Sequence, residues 1–522
     1  MINTSGNKIF WIAWWGCVLT VVCIYSMTMD VAPFLHKDEF MIVDLGRIVL
    51  NPQTEWSITW LTSKDAPVLL GSYLGPVLQE MTYQTLGEFG PRISALTGAV
   101  AASVLMLKYL LVKGTTQNAA FVLSLVFFLD PLFVQGYSMG RVDGWAIAVC
   151  IGSCYVLANS KNSTMSVRQA SYTAGALSIV AFFIWPSAVI LFPLIVFELL
   201  LAHDSGSRLR VSVLPFILGC FICTIVIVLP IAPRILAQFS DMVDGLIVNL
   251  RYGSGASSST LNDYLASFVE MLRVVKFSLA LVLGAILSLI LKKQTWLLIV
   301  TSIAASIILL TLVYIHRVMY LIPYLVLFVA ALHRKTTTPV NNSKLHEFAA
   351  GRIPLIFLLI WSAGLSLGVR TALAFDGREE RARSLVFDAA NKMIGPGDFS
   401  VMSTNEFYYS GRALGWKMYS PYLAVGQPVS FLEMMKVLPH VDYVILQKHA
   451  INERVLKALT LQGFRVSRNY TMYDVAENQE SGTNGNVKRI RNVYSIFPKP
   501  YGPYRLYVRR DQNYPLTHIN NN

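Results

Sequence analysis

Charge is what this sequence has least of. Only 14% of its 522 residues are Asp, Glu, Lys or Arg, against about 25% in an ordinary soluble domain. So few charges cannot cover a water-facing surface, which excludes a soluble enzyme and a disordered tail. Cysteine is sparse too. Cys17, Cys23, Cys150, Cys154, Cys220 and Cys223 all lie inside apolar runs and read as small buried hydrophobes. Cys220 and Cys223 form a CxxC without a second pair or a His cluster, so neither a zinc framework nor a disulfide scaffold is expected. Acidic residues are outnumbered: 30 Asp and Glu against 43 Lys and Arg leave a net charge of +13. In a chain that is 54% hydrophobic, with a mean hydropathy of +0.51, that excess belongs in cytoplasmic loops. No nucleic-acid partner is expected.

Long apolar runs are what the sequence does have. A membrane-crossing helix needs about 20 such residues. Runs lie at 9–27, 92–112, 118–136, 142–159, 171–185, 187–203, 211–233, 276–292, 295–314, 317–334 and 352–373. The pair around Trp185-Pro186 reads either as two short helices or as one long kinked one. Two helices and a cytoplasmic N-terminus put Lys8, Lys113, Lys161, Arg168, Arg208, Arg210, Lys292, Lys293, Arg334, Lys335 and Lys344 inside, a consistent positive-inside pattern. The expectation is an α-helical polytopic membrane protein with about eleven transmembrane helices and its C-terminus outside.

Three outside segments follow: 28–91, 234–275 and everything after Leu373. The chain thus divides into a membrane unit, 1–373, and an extracytoplasmic unit, 374–522. The tail carries charge throughout. Strand-like runs at Phe399–Ser403, Val441–Gln447 and Tyr504–Arg509 alternate with helical patterns such as Asn452–Leu461, stopped by Gly463. This predicts a small α/β domain. Residues 476–486 read as a flexible loop, and the Gly/Ser-rich stretch 252–260 reads as a linker or a mobile lid.

Asp38 and Glu39 follow the first span and open a pattern with Met41, Leu45, Ile48 and Val49 on one helical face. That pattern predicts an interfacial helix lying on the membrane. The two carboxylates can cap its N-terminus or supply chemistry. Val68–Leu86 also reads as interfacial and leads to Gly90-Pro91-Arg92. Glu55, Asp65 and Glu80 in the same loop read as solvated charges.

An acidic Asp38-Glu39 pair in a long first outside loop resembles the GT-C superfamily of polytopic glycosyltransferases. These include protein mannosyltransferases, lipid A aminoarabinose transferases and RgtA/B/C/D-like bacterial enzymes. Three further motifs resemble the family, in its order: Gly87-Glu-Phe-Gly-Pro-Arg92-Ile-Ser-Ala-Leu, then Asp130-Pro-Leu-Phe with Gly140-Arg141-Val-Asp143, then His316-Arg317-Val-Met-Tyr320-Leu-Ile-Pro323. The resemblance covers roughly residues 1–335. The sequence departs from the family where only Pro67 precedes the second interfacial stretch, and where Trp185-Pro186 stands in place of a common Lys.

The resemblance implies a GT-C-like fold and an inverting transfer. A sugar would move from a polyprenyl-phosphate donor to a hydroxyl on a lipid, glycan or protein acceptor at the outer face. It implies a bacterial inner membrane, by likeness to the bacterial members. Asp38 or Glu39 would be the base. Arg141, Arg317, His316 and Tyr320 would hold the donor phosphate, with Asp143, Arg92 and Asp130 in support. For Arg141 and Asp143 a local ion pair at a helix start remains open, and for Arg317 a headgroup anchor. Some relatives use a divalent cation. No metal is assigned here, since His346-Glu347 begins an HExxH in which Ala350 replaces the second His. A transporter or lipid flippase shares the hydropathy, but it should carry ionisable residues near the midplane in repeated halves, and neither is seen. A non-enzymatic scaffold leaves the polar outer face unexplained.

Overall fold

The computed structural model describes residues 4–31, 37–51, 72–160, 164–202, 210–237, 261–311, 315–334, 351–375, 382–419, 431–447, 453–470 and 501–509, with 240, 349, 378 and 451 singly. The stretches 252–260 and 476–486, and Glu55 and Asp65, lie outside the described residues.

The chain is mostly helical. Among the described residues six helices are long and apolar enough to cross a membrane, or seven if Gln117–Leu129 and Pro131–Ser138 form one span bent by 52°. Four shorter apolar helices accompany them: Asp143–Asn159, Pro186–Ala202, Thr295–Leu310 and His316–Leu332. The 52° bend has a local cause. Pro131 has no N–H to give and drives the residue before it out of the helical region. Asp130 is accordingly extended (φ −58°, ψ 130°), and its carboxylate accepts from Leu132 N–H to start the next helix. Trp185-Pro186 acts in the same way. The Val167–Ile184 helix ends there, Trp185 is extended (φ −158°, ψ 129°), and a 3₁₀ turn leads into Phe192–Ala202. Two short helices, not one kinked helix, occupy this region.

Small residues permit one close helix contact. A Cβ added at Gly175 would lie 2.1 Å from the carbonyl oxygen of Phe216, and one at Gly219 would lie 2.1 Å from that of Tyr172. The Val167–Ile184 and Arg210–Val228 helices therefore touch backbone to backbone, as small residues permit in membranes.

The loop after the first helix, expected to lie outside, behaves differently from expectation. Lys37–Leu50 is a helix, but Met41, Leu45 and Ile48 are buried inside the protein instead of lying on a membrane surface. The face packs on the Leu74–Leu86 helix, closely enough that a Cβ at Gly46 would overlap the Pro76 carbonyl. It also packs on the tail, where the Phe40 and Tyr408 rings lie 5.3 Å apart.

The tail forms a mixed five-stranded sheet of order β2-β1-β3-β5-β4. Its strands are β1 Ser400–Ser403, β2 Lys417–Tyr419, β3 Tyr443–Gln447, β4 Phe464–Tyr470 and β5 Tyr504–Arg509. β1 is parallel to β2 and β3, and β5 is antiparallel to β3 and β4. Side chains alternate between faces along a strand. Tyr443 and Ile445 thus join the core that continues into the membrane helices, while Val444 and Leu446 pack on Met434, Leu438 and Leu459. The three expected strands are present. β2 and β4 are additions, and β4 is a mostly exposed edge strand carrying Arg465 and Arg468, the usual protection of a free edge.

Glu406 sits under this sheet, accepting from Gln447 Nε2 (2.6 Å) and the Tyr504 hydroxyl (2.9 Å). Burial raises its carboxyl above the ordinary 4.5 despite these donors. A carboxyl raised on folding adds stability below its ordinary value and loses it as pH climbs through the raised one. The thermal midpoint of the wild type, minus that of Glu406→Gln, should fall as pH rises above about 4.5. A flat difference would contradict this. At the helix crossing, Gly175→Ala should cost about 1–3 kcal/mol, read as a lower midpoint. Gly16→Ala, with nothing within 4 Å, should leave the midpoint unchanged.

Candidate active site

The turn before the Asp143–Asn159 helix is shaped by Gly140. Its φ of +66° disfavours any residue with a Cβ, and such a Cβ would also lie 2.9 Å from Glu39 Cγ. Gln79 Nε2 donates to the Gly140 carbonyl at 2.7 Å. The turn therefore presents Arg141 to the start of the Lys37–Leu50 helix. Arg141 Nε donates to Asp143 Oδ2 at 2.7 Å, and its Nη1 donates to Asp38 Oδ2. The guanidinium also lies 5.3 Å from the Trp185 ring centre, so the residue standing where the family often has Lys reaches the same site. The Tyr320 hydroxyl donates to the other Asp143 oxygen at 2.9 Å. His316 Nε2 stands 3.8 Å from Asp38 Oδ2. Arg317 is half-buried, within electrostatic reach of Arg141 and Asp143. Asp38 is 5% exposed and Arg141 4%, so charges of both signs meet here out of bulk water.

Adjacent residues on a helix point about 100° apart. Glu39 therefore serves a second cluster. It is fully buried. Arg92 Nε and Nη2 both donate to its Oε2, at 3.1 and 3.0 Å, while Arg92 Nη1 donates to the Met29 carbonyl at 2.7 Å. From the tail, Arg383 Nη2 and the Tyr409 hydroxyl each donate to Oε1 at 3.3 Å. Burial works against the Arg383 charge, but Glu39 and then Glu88 outweigh it, and its guanidinium stays charged beyond the usual range. Burial, reinforced by Glu39, pushes the Tyr409 hydroxyl well above its ordinary value, so it is a permanent donor.

A third contact corrects an expectation. Glu80 is not solvated: it is fully buried, and Arg412 forks onto both of its oxygens at 2.8 and 2.9 Å. Arg412 also lies 4.3 Å from the Tyr83 ring centre. Burial of this carboxylate is tolerated because a bidentate guanidinium replaces its water.

The structure thus gathers Asp38, Arg141, Asp143, His316, Arg317 and Tyr320 at one place. Glu39 and Arg92 stand beside them, joined to the tail. Asp130 is apart, bonded to Leu132 N–H and to the Ser278 hydroxyl (2.9 Å). Reading the sequence missed Arg383, Tyr409 and Arg412, which come from the helices Arg383–Met393 and Tyr408–Ala413. The only local sign was Tyr408-Tyr409-Ser-Gly-Arg412, in which positions 408 and 412 share a helical face.

Removing one partner of a buried ion pair strands the other. Glu39→Ala would leave Arg92 and Arg383 without their carboxylate and should cost about 3–5 kcal/mol. Asp38→Asn should cost less, because Arg141 keeps Asp143. Thermal midpoints of the two variants check this ordering, and equal losses would refute it.

No protein-family model matches the sequence, and no curated protein matches it. Solved structures do match. The apo crystal structure of ArnT from Cupriavidus metallidurans superposes with a TM-score of 0.57 at 14% identity, over 91% of this chain and 97% of that one. The same protein bound to undecaprenyl phosphate gives 0.57 at 13% identity, over 87% and 96%. The arabinofuranosyltransferase AftD from Mycobacteria gives 0.54 at 13% identity, over 95% of this chain but 40% of that one. The chain has the fold of ArnT and of the matched part of AftD.

Proposed function

We propose that this chain is a membrane glycosyltransferase. It takes a sugar from a polyprenyl-phosphate donor and places it, with inversion, on an acceptor hydroxyl at the extracytoplasmic face. The observation that carries the reading is the meeting of a carboxylate, Asp38, with Arg141, His316 and Arg317 at one end of a helical bundle. The GT-C fold, and the binding of undecaprenyl phosphate by the similarly folded ArnT, support the donor class.

Asp38 is the base in this account, and Glu39 is a structural pin. Glu39 has both oxygens occupied by arginine and tyrosine donors. Asp38 shares Arg141 with Asp143, so Arg141 can turn to the donor without losing its second partner. Asp38 takes the proton of the acceptor hydroxyl. The acceptor oxygen attacks the anomeric carbon from the face opposite the phosphate, forming one C–O bond as the bond to phosphate breaks. Polyprenyl phosphate departs with the electron pair. Arg141, Arg317 and His316 stabilise its growing negative charge, while Tyr320 and Asp143 hold Arg141 in place. One carboxylate suffices for such a displacement. The carboxylates here are engaged by guanidinium groups, and among the described residues no three His, Cys, Asp or Glu side chains gather to hold an ion.

In this reading the apolar helices make eleven spans, with the N-terminus in the cytoplasm, in a bacterial inner membrane. Residues 374–522 form an extracytoplasmic unit that positions a lipid, glycan or protein acceptor over the site. The test is turnover of radiolabelled polyprenyl-phosphate sugars by purified protein, with a cell-envelope extract as acceptor source. Asp38→Asn should lower the rate by about 100-fold or more in protein that remains folded, with a smaller loss of thermal midpoint than Glu39→Ala. Full activity of Asp38→Asn would remove Asp38 as base. Absence of turnover with every donor, in folded wild-type protein, would overturn the transferase reading.

A further inference from the structure

The opposite end of the bundle holds a second polar site. The Gly90–Val112 helix begins beside the candidate site with Arg92 and ends at Lys113, about 30 Å away at 1.5 Å per residue. There a cavity of about 470 Å³ opens between the ends of several helices, within the usual size range of ligand sites. Its walls carry Lys113, Lys292, Lys293 and Arg334 against a single carboxylate, Glu198. Glu198 is already satisfied: Lys113 Nζ donates to it at 2.9 and 3.1 Å, and the Tyr109 hydroxyl at 2.6 Å. Among the described residues one cation is thus neutralised and three remain.

For two of the three the backbone is fixed by local contacts. The backbone at Arg334, just past the Ile322–Leu332 helix, pairs with the 113–116 turn, where Thr116 N–H donates to the His333 carbonyl at 3.0 Å. Its buried Nε has no hydrogen-bond partner among the described residues. Lys293 is the one non-glycine residue with positive φ (47°) among the described residues. A lysine kept in a conformation that favours glycine is a strained position of the kind that clusters at binding sites. The positive-inside tendency explains loose basic residues at this face. It does not explain three of them, from two separate turns, converging on one cavity. The wall also has an apolar side. Trp296 is 67% exposed and Leu201 is exposed next to the cations, as expected of residues meeting the lipid interface.

We propose that this cavity binds the phosphate headgroup of an anionic phospholipid, with the acyl chains running along Trp296 and Leu201. Its chemistry is a phosphodiester held by Lys292, Lys293 and Arg334. A soluble phosphate would meet the same cations but would have no use for the apolar wall.

The test uses the full-length protein in detergent. Native mass spectrometry measures retention of phosphatidylglycerol, phosphatidylcholine and inorganic phosphate by wild type and by the Lys292→Gln, Lys293→Gln, Arg334→Gln triple variant. Wild type should retain phosphatidylglycerol at least tenfold better than phosphatidylcholine. The triple variant should lose that preference, and millimolar inorganic phosphate should not displace the lipid. Equal retention of the two lipids by wild type, an unchanged preference in the variant, or displacement by inorganic phosphate would each overturn the proposal. Should the triple variant not fold, Lys293→Gly relieves the positive φ while removing one charge. It should fold at least as well as wild type yet retain phosphatidylglycerol severalfold less, and undiminished retention would count equally against the site.

Discussion

The architecture depends on keeping one carboxylate out of water. Glu39 is fully buried, and its charge is tolerable only because Arg92 forks onto one oxygen while Arg383 and Tyr409 reach the other. These four residues come from the Lys37–Leu50 helix, the Gly90–Val112 helix and two helices of the tail. A buried charge with exact partners permits few alternative arrangements, so the cluster fixes how loop and tail sit on the bundle. Apolar packing alone, as between Phe40 and Tyr408, is less directional. The Glu80–Arg412 fork repeats the same device a short distance along the loop.

Asp38 inherits its position from this constraint. The helix that anchors Glu39 turns its preceding residue toward Gly140-Arg141, and the positive φ of Gly140 lets the turn approach that closely. Arg141 then lies between Asp38 and Asp143, with Tyr320 and Trp185 behind it. A guanidinium with two carboxylate partners and little water is held in place before any substrate arrives. Such preorganisation is what a site needs to stabilise charge that appears only during reaction. The two adjacent acids therefore divide the work in the proposed mechanism: one holds the frame, and the other faces the chemistry.

Much of this was legible in the sequence. Length of apolar run located the helices, and Pro186 marked a break, but the run 118–136 was read straight through Pro131, where the structure bends by 52°. Alternation located β1, β3 and β5. The polar residues at Asp38, Arg141, Asp143, His316 and Tyr320 were grouped through the family resemblance of the motifs that carry them, each near the end of an apolar run. Contacts across large separations were not legible. Nothing near Glu80 announces Arg412, which is 332 residues away, and nothing near Glu39 announces Arg383. The buried face of the 37–50 helix was read as membrane-facing, because an apolar stripe looks the same whether lipid or protein covers it. β2 and β4 were missed because one is three residues long and the other alternates little, with five consecutive exposed positions.

The central claim is that the Asp38–Arg141 end of the bundle receives a lipid phosphate. The direct measurement is equilibrium binding of undecaprenyl phosphate to the purified protein, followed by phosphorus NMR, for wild type, Arg141→Gln and Arg317→Gln. The account predicts saturable binding by wild type and a loss of about tenfold or more in affinity for each variant. Arg317→Gln leaves the Asp38–Arg141–Asp143 contacts in place and so separates loss of binding from loss of fold. Unchanged affinity in both folded variants would contradict the account.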